Sequence, residues 1–516
     1  MKGLLSTLLP LALTFTGALA ALQPIVVKGS KFFYQNGTQF FMKGVAYQAD
    51  ISTQNPSVAG QSYHDPLSDA TSCKRDVPYL RELGTNLIRV YAIDPTKNHD
   101  DCMKLLDDAG IYVISDLSEP DTSINRDSPA WDDQLYKRYT NVVDALAGYS
   151  NVMGFFAGNE VSNMYNNTDA SAFVKAAVRD TKAYIKAKSY RSIPVGYATN
   201  DDEDIRAQLA DYFNCGNEED RAEFWGYNIY SWCGDSSYTL SGFDQRTAEF
   251  QNYSIPSFFA EYGCNKVTPR KFTEVQALYS SPMSDVFSGG IVYMYFQEAN
   301  NYGLVDISNG KVSKFQDFTN LKNQISKVSP KGVTMSNYNP SNTSPRDCPV
   351  ENQFWEASTT LPPTPNESLC QCMVKSLNCV AKSTVTDKAI GDLFNFVCGQ
   401  ENSDCSDINT NGTTGTYGPF SMCSANERLS WAFNTYYNSN GKSAQSCDFN
   451  GNATTQTGAT NTDCKSALES ASSTTTPTST GSSQAAANIR PLGGVFWMVS
   501  SAVMASVFAG AMSVLV

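Results

Sequence analysis

The sequence predicts an α/β protein: a (β/α)8 barrel, the TIM-barrel architecture, followed by a small, disulfide-rich, mainly helical module. Three observations carry that prediction. Eight short runs rich in Val, Ile, Phe and Tyr recur between residues 40 and 296, and they are near-continuously apolar, as strands covered on both faces are. Most are separated by roughly 20–40 residues, enough for the crossover helix that parallel strands need. Of fourteen cysteines, eight fall between residues 370 and 464.

Along the chain, residues 1–20 (MKGLLSTLLPLALTFTGALA) place one Lys before an apolar run and small residues at Ala18 and Ala20, the layout of a secretory signal peptide cleaved after Ala20. The barrel is expected over 21–330. Its candidate strands are FFMKGVAY, NLIRVYAI, IYVISDL, VMGFFAGNE, SIPVGYAT, EFWGYNIY, SFFAEYG and GGIVYMYF, and AFVKAAVRDTKAYIKAK (172–188) shows the 3.6-residue apolar period of a covering helix. Residues 331–369, rich in Pro, Ser, Thr and Asn, read as a linker, and 370–464 as the cysteine-rich module. Residues 465–484 read as a Ser/Thr stalk with too little apolar surface to fold. Residues 485–516 read as a GPI-attachment signal: small residues (GSSQAAAN, 481–488), a short spacer and an apolar tail form the pattern, with attachment between Gly481 and Asn488. A C-terminal membrane helix is the alternative, but no Lys or Arg follows the tail.

A net charge of −13 lacks the basic footprint that nucleic-acid binding requires. Only two histidines exist, His64 and His99, so zinc sites and His-dependent triads are poor candidates; no metal and no organic cofactor is expected. Sequons stand at Asn36, Asn166, Asn252, Asn342, Asn366, Asn411 and Asn452, and fourteen cysteines suit seven disulfides in an oxidising compartment.

The chemistry is carried by strand ends. Glu160 closes the fourth candidate strand and Glu261 the seventh, where barrel enzymes keep their catalytic groups. Asp116, Tyr91, Tyr230 and Tyr293 stand near the ends of strands three, two, six and eight. Two carboxyl groups across one mouth are the machinery of glycosidic cleavage, and a gap of about 5–5.5 Å gives retention through a covalent intermediate. Asn159 is positioned for a sugar 2-hydroxyl, and Tyr293 is expected to donate to Glu261 and keep it ionised. Tyr227, Tyr230, Trp232 and Tyr302 are expected to form an aromatic lip that holds a sugar acceptor.

The motifs KGVAYQ (43–48), RVYAID (89–94), GNEVSNM (158–164) and FAEYGCN (259–265) resemble those of the fungal β-1,3-glucanosyltransferases, the Gas/Gel group of glycoside hydrolase family 72. The resemblance implies Glu160 as acid/base and Glu261 as nucleophile. It implies a donor side lined by Gln48, Tyr91, Asp116, Asn159, Tyr230 and Tyr293, with the loop 118–126 (Ser118, Glu119, Asn125, Arg126) touching donor sugars. Asp201 and Arg206 would lie on the acceptor side; the plain alternatives are a helix N-cap and a solvated charge. It further implies the pairs Cys73–Cys102, Cys215–Cys348 and Cys233–Cys264. The stretches LCQCMVKSLNCVAK, FVCGQENSDCSDI and SWAFNTYYNS resemble a carbohydrate-binding module of family 43, which implies Cys370–Cys423, Cys372–Cys464, Cys379–Cys447 and Cys398–Cys405. That module either binds glucan or only staples the barrel. Three readings stay open: a transferase extending β-1,3-glucan at the outer face of the plasma membrane, an endo-hydrolase with the same carboxylates, and a non-catalytic wall-binding protein.

Overall fold

The computed structural model describes residues 21–49, 63–400 and 403–473, so the expected signal peptide, the Ser/Thr-rich run from 474 and the attachment signal lie outside the described residues. Eight parallel strands close into a barrel: β1 (Met42–Ala46), β2 (Leu87–Val90), β3 (Tyr112–Asp116), β4 (Val152–Asn159), β5 (Val195–Thr199), β6 (Trp225–Asn228), β7 (Ser257–Tyr262) and β8 (Phe287–Val292), with β8 pairing back onto β1. Each is buried along almost its whole length, which is why these strands read as unbroken apolar runs. Inward side chains such as Met42, Leu87, Tyr112, Met153, Phe156, Phe224 and Phe258 fill the barrel, while a separate, larger core lies between strands and helices. An antiparallel hairpin, Val26–Lys28 with Lys31–Phe33, adds Phe32 to the inner core.

Of the register shifts in the barrel, two bear on the strand ends that carry Glu160 and Glu261. Between Phe156 and Asn159 the register of β4 against β5 shifts by one residue, and β7 shifts against β6 between Phe259 and Glu261. Phe258 and Ala260 face the barrel interior and Phe259 the helices. Strict alternation would therefore send Glu261 outward with Phe259; the extra residue returns it to the mouth.

Beyond the barrel the chain stays attached. Cys215–Cys348 closes a loop spanning 133 residues. Trp355 is fully buried with its ring 5.0 Å from that of Tyr212, and Arg179 Nη2 donates to Pro362 O at 2.9 Å. The expected linker thus packs as a strap along the barrel. The module that follows holds helices at Glu367–Ser376, Asp387–Cys398, Ala425–Ser439 and Thr462–Ser473 and a short antiparallel pair, Cys379–Ala381 with Ala453–Thr455. Its core of Met373, Val397, Leu429 and Phe433 is small, and four disulfides reinforce it: Cys370–Cys423, Cys372–Cys464, Cys379–Cys447 and Cys398–Cys405. It meets the barrel where Asp133 N donates to Met422 O at 3.1 Å and Phe173 packs on Tyr417.

One expectation is corrected. Residues 465–473, read as the start of an unfolded stalk, complete the helix Thr462–Ser473. Lys465, Ala467, Leu468 and Glu469 are good helix formers, and Cys372–Cys464 ties the helix down. Of the sequon asparagines, Asn36, Asn166, Asn252, Asn366 and Asn411 are exposed. Asn342 and Asn452 are half-buried, with Nδ2 donated to Tyr253 O and Phe449 O.

The strap makes a checkable claim. Trp355→Ala should lower stability by about 3–5 kcal/mol, the usual cost of emptying a buried Trp site, and should expose residues 340–365 to limited proteolysis. Denaturant unfolding measures the first, and a change below about 1 kcal/mol would mean that the strap is not part of the barrel's core.

Candidate active site

At the C-terminal mouth of the barrel one buried cation organises three strand ends. Arg89 on β2 is fully buried. Its guanidinium grips Asp116 at the end of β3 through Nε–Oδ1 and Nη2–Oδ2, both 2.9 Å, and reaches Glu261 Oε1 on β7 through Nη1 at 3.3 Å. The rings of Tyr91 and Phe156 lie 4.4 and 4.3 Å from its centre. Burial alone would lower the Arg89 pKa, but Asp116, Tyr91 and Glu261 hold it above its ordinary value, so the charge is permanent.

Glu261 accepts two further hydrogen bonds at 2.8 Å, Tyr91 Oη to Oε1 and Tyr230 Oη to Oε2. Glu160 stands differently. Asn228 Nδ2 donates to its Oε1 at 2.7 Å and also to Asn159 Oδ1 at 3.0 Å. The backbone of Glu160 has φ = +50°, a left-handed conformation that costs a non-glycine residue about 1 kcal/mol or more. The turn is pinned on both sides: Glu160 N donates to Ala198 O at 2.9 Å, and Arg126 Nη2 donates to Glu160 O at 2.7 Å.

These surroundings separate two identical groups. Burial pushes Glu160 up to about 7, and the Glu261 charge adds to the push against the amide of Asn228. Burial also raises Glu261, but Arg89 and the hydroxyls of Tyr230 and Tyr91 oppose it. The shared charge therefore settles on Glu261 and the shared proton on Glu160.

The other sequence-predicted residues fall into three groups. Gln48 is buried and supports Tyr91: its Oε1 accepts from Tyr91 N at 3.0 Å and Ala92 N at 3.1 Å, and its Nε2 donates to His64 O. Glu119 Oε2 accepts from Asp121 N and Asn125 Oδ1 from Asp127 N, so both shape the loop 118–126; the Ser118 carbonyl accepts from Arg138. Within that loop Arg126 reaches the backbone of Glu160. Beside the mouth a cavity of about 510 Å³ shares Arg126 and extends to Asn163, Asn166, Asp169 and Glu356. Asp201 and Arg206 form an ion pair at 2.9 Å, and Asp201 caps no helix, since the following helix starts after Ile205.

Four aromatic expectations are corrected. Tyr293 does not donate to Glu261: its hydroxyl accepts from Asn300 Nδ2 at 3.5 Å, and its ring packs against Tyr91, Tyr230 and Tyr302. Tyr227 is buried with its hydroxyl on Asp201, and Trp232 is buried with Nε1 on Thr273 Oγ1. Tyr302 is buried as well. None of these three forms an open lip: Tyr227 and Trp232 pack between strands and helices against Phe250 and Phe243, and Tyr302 packs against Tyr230 and Tyr293. Tyr230, half-buried, donates its hydroxyl to Glu261. Arg89 and Asn228 escaped the sequence reading. An Arg inside the apolar run NLIRVYAI was a legible signal, since a buried charge needs a partner. Asn228 gave none beyond its place two residues before Tyr230.

Residues 14–329 match the family described as glucanosyltransferase, glycoside hydrolase family 72, and residues 377–454 match the X8 domain. The chain belongs to the glucanosyltransferase family. It is an enzyme, a glucan transglycosylase. Among its relatives is a 1,3-beta-glucanosyltransferase of Arthroderma benhamiae, 60 % identical over 455 residues, covering 85 % of this chain and 83 % of the relative. The 1,3-beta-glucanosyltransferase gas1 of Schizosaccharomyces pombe is 46 % identical, covering 89 % and 84 %. A crystal structure of Saccharomyces cerevisiae Gas2p with laminaripentaose superposes with a TM-score of 0.79 at 47 % identity, covering 84 % of this chain and 97 % of that one. Among the described residues the grouping with metal-ligand spacing is Cys370, Cys423 and Glu427, and its two sulfurs are bonded to each other.

The hydrogen bonds on Glu261 are separable by mutation. Tyr91→Phe and Tyr230→Phe should each lower kcat about tenfold and move the acidic limb of the pH–rate profile upward, because each removes a donor that stabilises the carboxylate. Tyr293→Phe should leave that limb in place. A Tyr293→Phe shift as large as the other two would reverse the assignment.

Proposed function

We propose that this glucanosyltransferase is a retaining 1,3-β-glucanosyltransferase, with Glu261 as nucleophile and Glu160 as acid/base. It cleaves a β-1,3-glucan internally and joins the new reducing end to the non-reducing end of another chain. The unequal surroundings of the two carboxyl groups carry the reading: Glu261 has a guanidinium and two phenols, Glu160 a single amide. In the first step a Glu261 oxygen bonds to the anomeric carbon while Glu160 gives its proton to the departing oxygen. In the second, Glu160, now a carboxylate, takes the proton of the incoming sugar hydroxyl as that oxygen displaces Glu261. Asn159 offers its amide to the 2-hydroxyl, a contact that strengthens as charge develops at the ring. The substrate follows from the relatives, whose names specify 1,3-beta-glucan transfer, and from Gas2p, crystallised with laminari-oligosaccharides.

In the same reading residues 1–20 are a signal peptide, 21–330 the catalytic domain and 370–464 a glucan-binding module, with Phe396, half-exposed beside Tyr436, offering a ring face to a sugar. A GPI anchor attached near residues 481–488 holds the enzyme at the outer face of the plasma membrane, where new glucan is made. Among the described residues no helix is long and apolar enough to cross a membrane.

Incubation with a reduced laminari-oligosaccharide should yield products longer than the substrate; shorter products alone would mean a hydrolase. Glu160→Gln and Glu261→Gln should each remove several orders of magnitude of rate while the chain stays folded. For the wild type, kcat/KM should fall as pH rises through about 7, where Glu160 loses its proton, and fall again on the acid side as Glu261 gains one. A profile flat across pH 6–8 would contradict Glu160 as the acid.

A further inference from the structure

Asn228 ends β6 and is 2 % exposed. One nitrogen of its amide serves two acceptors, Glu160 Oε1 at 2.7 Å and Asn159 Oδ1 at 3.0 Å. Its own Oδ1 is buried and has no hydrogen-bond partner among the described residues. Turning Asn228 over alone would set oxygen against oxygen, and turning Asn159 over alone would set NH2 against NH2, so the two asparagines fix each other's orientation.

We propose that Asn228 is the positioning residue of the acid/base: by occupying Glu160 Oε1 it confines the catalytic proton to Oε2, and by occupying Asn159 Oδ1 it leaves the Asn159 NH2 free to face the sugar. The proposal rests on Glu160 being the acid/base. The proton balance follows directly. In the first step the Oε2 proton passes to the glycosidic oxygen, which leaves with the electron pair of the broken C1–O bond. Glu160 becomes a carboxylate while Nδ2 of Asn228 still donates to Oε1, now as a charge-assisted bond. In the second step Oε2 takes the proton of the acceptor hydroxyl, and the neutral acid is restored. Asn228 therefore stabilises the charged form that appears in the transition state, the kind of contact that raises kcat rather than binding. The backbone hydrogen bond from Glu160 N to Ala198 O and the grip of Arg126 on Glu160 O fix the main chain only. Among the described residues, no protein group other than Asn228 bonds the Glu160 carboxyl.

The test is Asn228→Asp and Asn228→Ala in the full chain, assayed on two donors. One is a reduced laminari-oligosaccharide, whose leaving group needs a proton; the other is a dinitrophenyl β-laminarioside, whose leaving group does not. With Asn228 gone, kcat on the oligosaccharide should fall about 10- to 100-fold, and the ratio of the two rates should shift by at least about tenfold toward the activated donor. The alkaline limb of the oligosaccharide profile should move up by about one pH unit, since losing the donor favours the protonated acid. Equal losses on both donors, or an unmoved limb, overturn the proposal. Asn228→Asp has nearly the volume of Asn and decides the matter if Asn228→Ala fails to fold. Glu160→Gln with sodium azide separates the underlying assignment. If azide restores turnover of the activated donor as a glycosyl azide, Glu160 is the acid/base whatever Asn228 does; no rescue refutes that assignment instead.

Discussion

The contact on which the mouth of this barrel depends is the buried fork between Arg89 and Asp116, with Glu261 on its third nitrogen. A guanidinium with no solvent exposure is costly to bury, and it is retained only because each of its faces is occupied: two carboxylates in the plane and two aromatic rings beside it. The arrangement locks the ends of three strands to one another. It also sets the electrostatic level of the site. Asp116 opposes the pull of Arg89 on Glu261, and Arg89 with the hydroxyls of Tyr230 and Tyr91 still leaves Glu261 the more acidic carboxyl.

Around that centre the division of labour arises by subtraction. Glu160 and Glu261 are chemically the same group, and burial drives both toward neutrality. What distinguishes them is how many donors each receives. Tyr91 and Tyr230 converge on Glu261, and Gln48 acts one step back by holding the backbone of Tyr91. Among the described residues Asn228 alone bonds the Glu160 carboxyl. Packing permits this convergence: Gly226 on β6 has no side chain where a Cβ would lie 2.8 Å from that of Ala260, so β6 and β7 approach closely just before Asn228 and Glu261.

The strap and module extend the same logic outward. Trp355 and the Cys215–Cys348 bond hold the strap against the helical layer, and the module docks beside the helix carrying Phe173. The helix Ala170–Ala187 lies under both and begins ten residues after Glu160. The backbone strain at Glu160 is thus borne by a rigid neighbourhood, since a non-glycine residue stays at φ = +50° only where its surroundings over-determine it.

The strands, their order and the two carboxyl groups were legible in the sequence, because apolar runs ending in a lone Glu have few physical explanations. Motif resemblance carried the roles further than periodicity did. The sequence does not place Tyr227, Trp232 and Tyr302, since an aromatic near a strand end looks the same whether it lines the mouth or packs into the core. The hydroxyls on Glu261 come from Tyr91 and Tyr230 and not from the expected Tyr293 for a related reason: spacing names the strand end but not the direction of the ring. The two register shifts that turn Asn159, Glu160 and Glu261 into the mouth leave no mark in composition. They are decided by pairing with neighbouring strands, an interaction between segments far apart in the chain. The sequence alone thus determined which groups the barrel carries to its rim, and the tertiary structure decided which of them touch, because hydrogen bonds of about 3 Å depend on side-chain direction across strands.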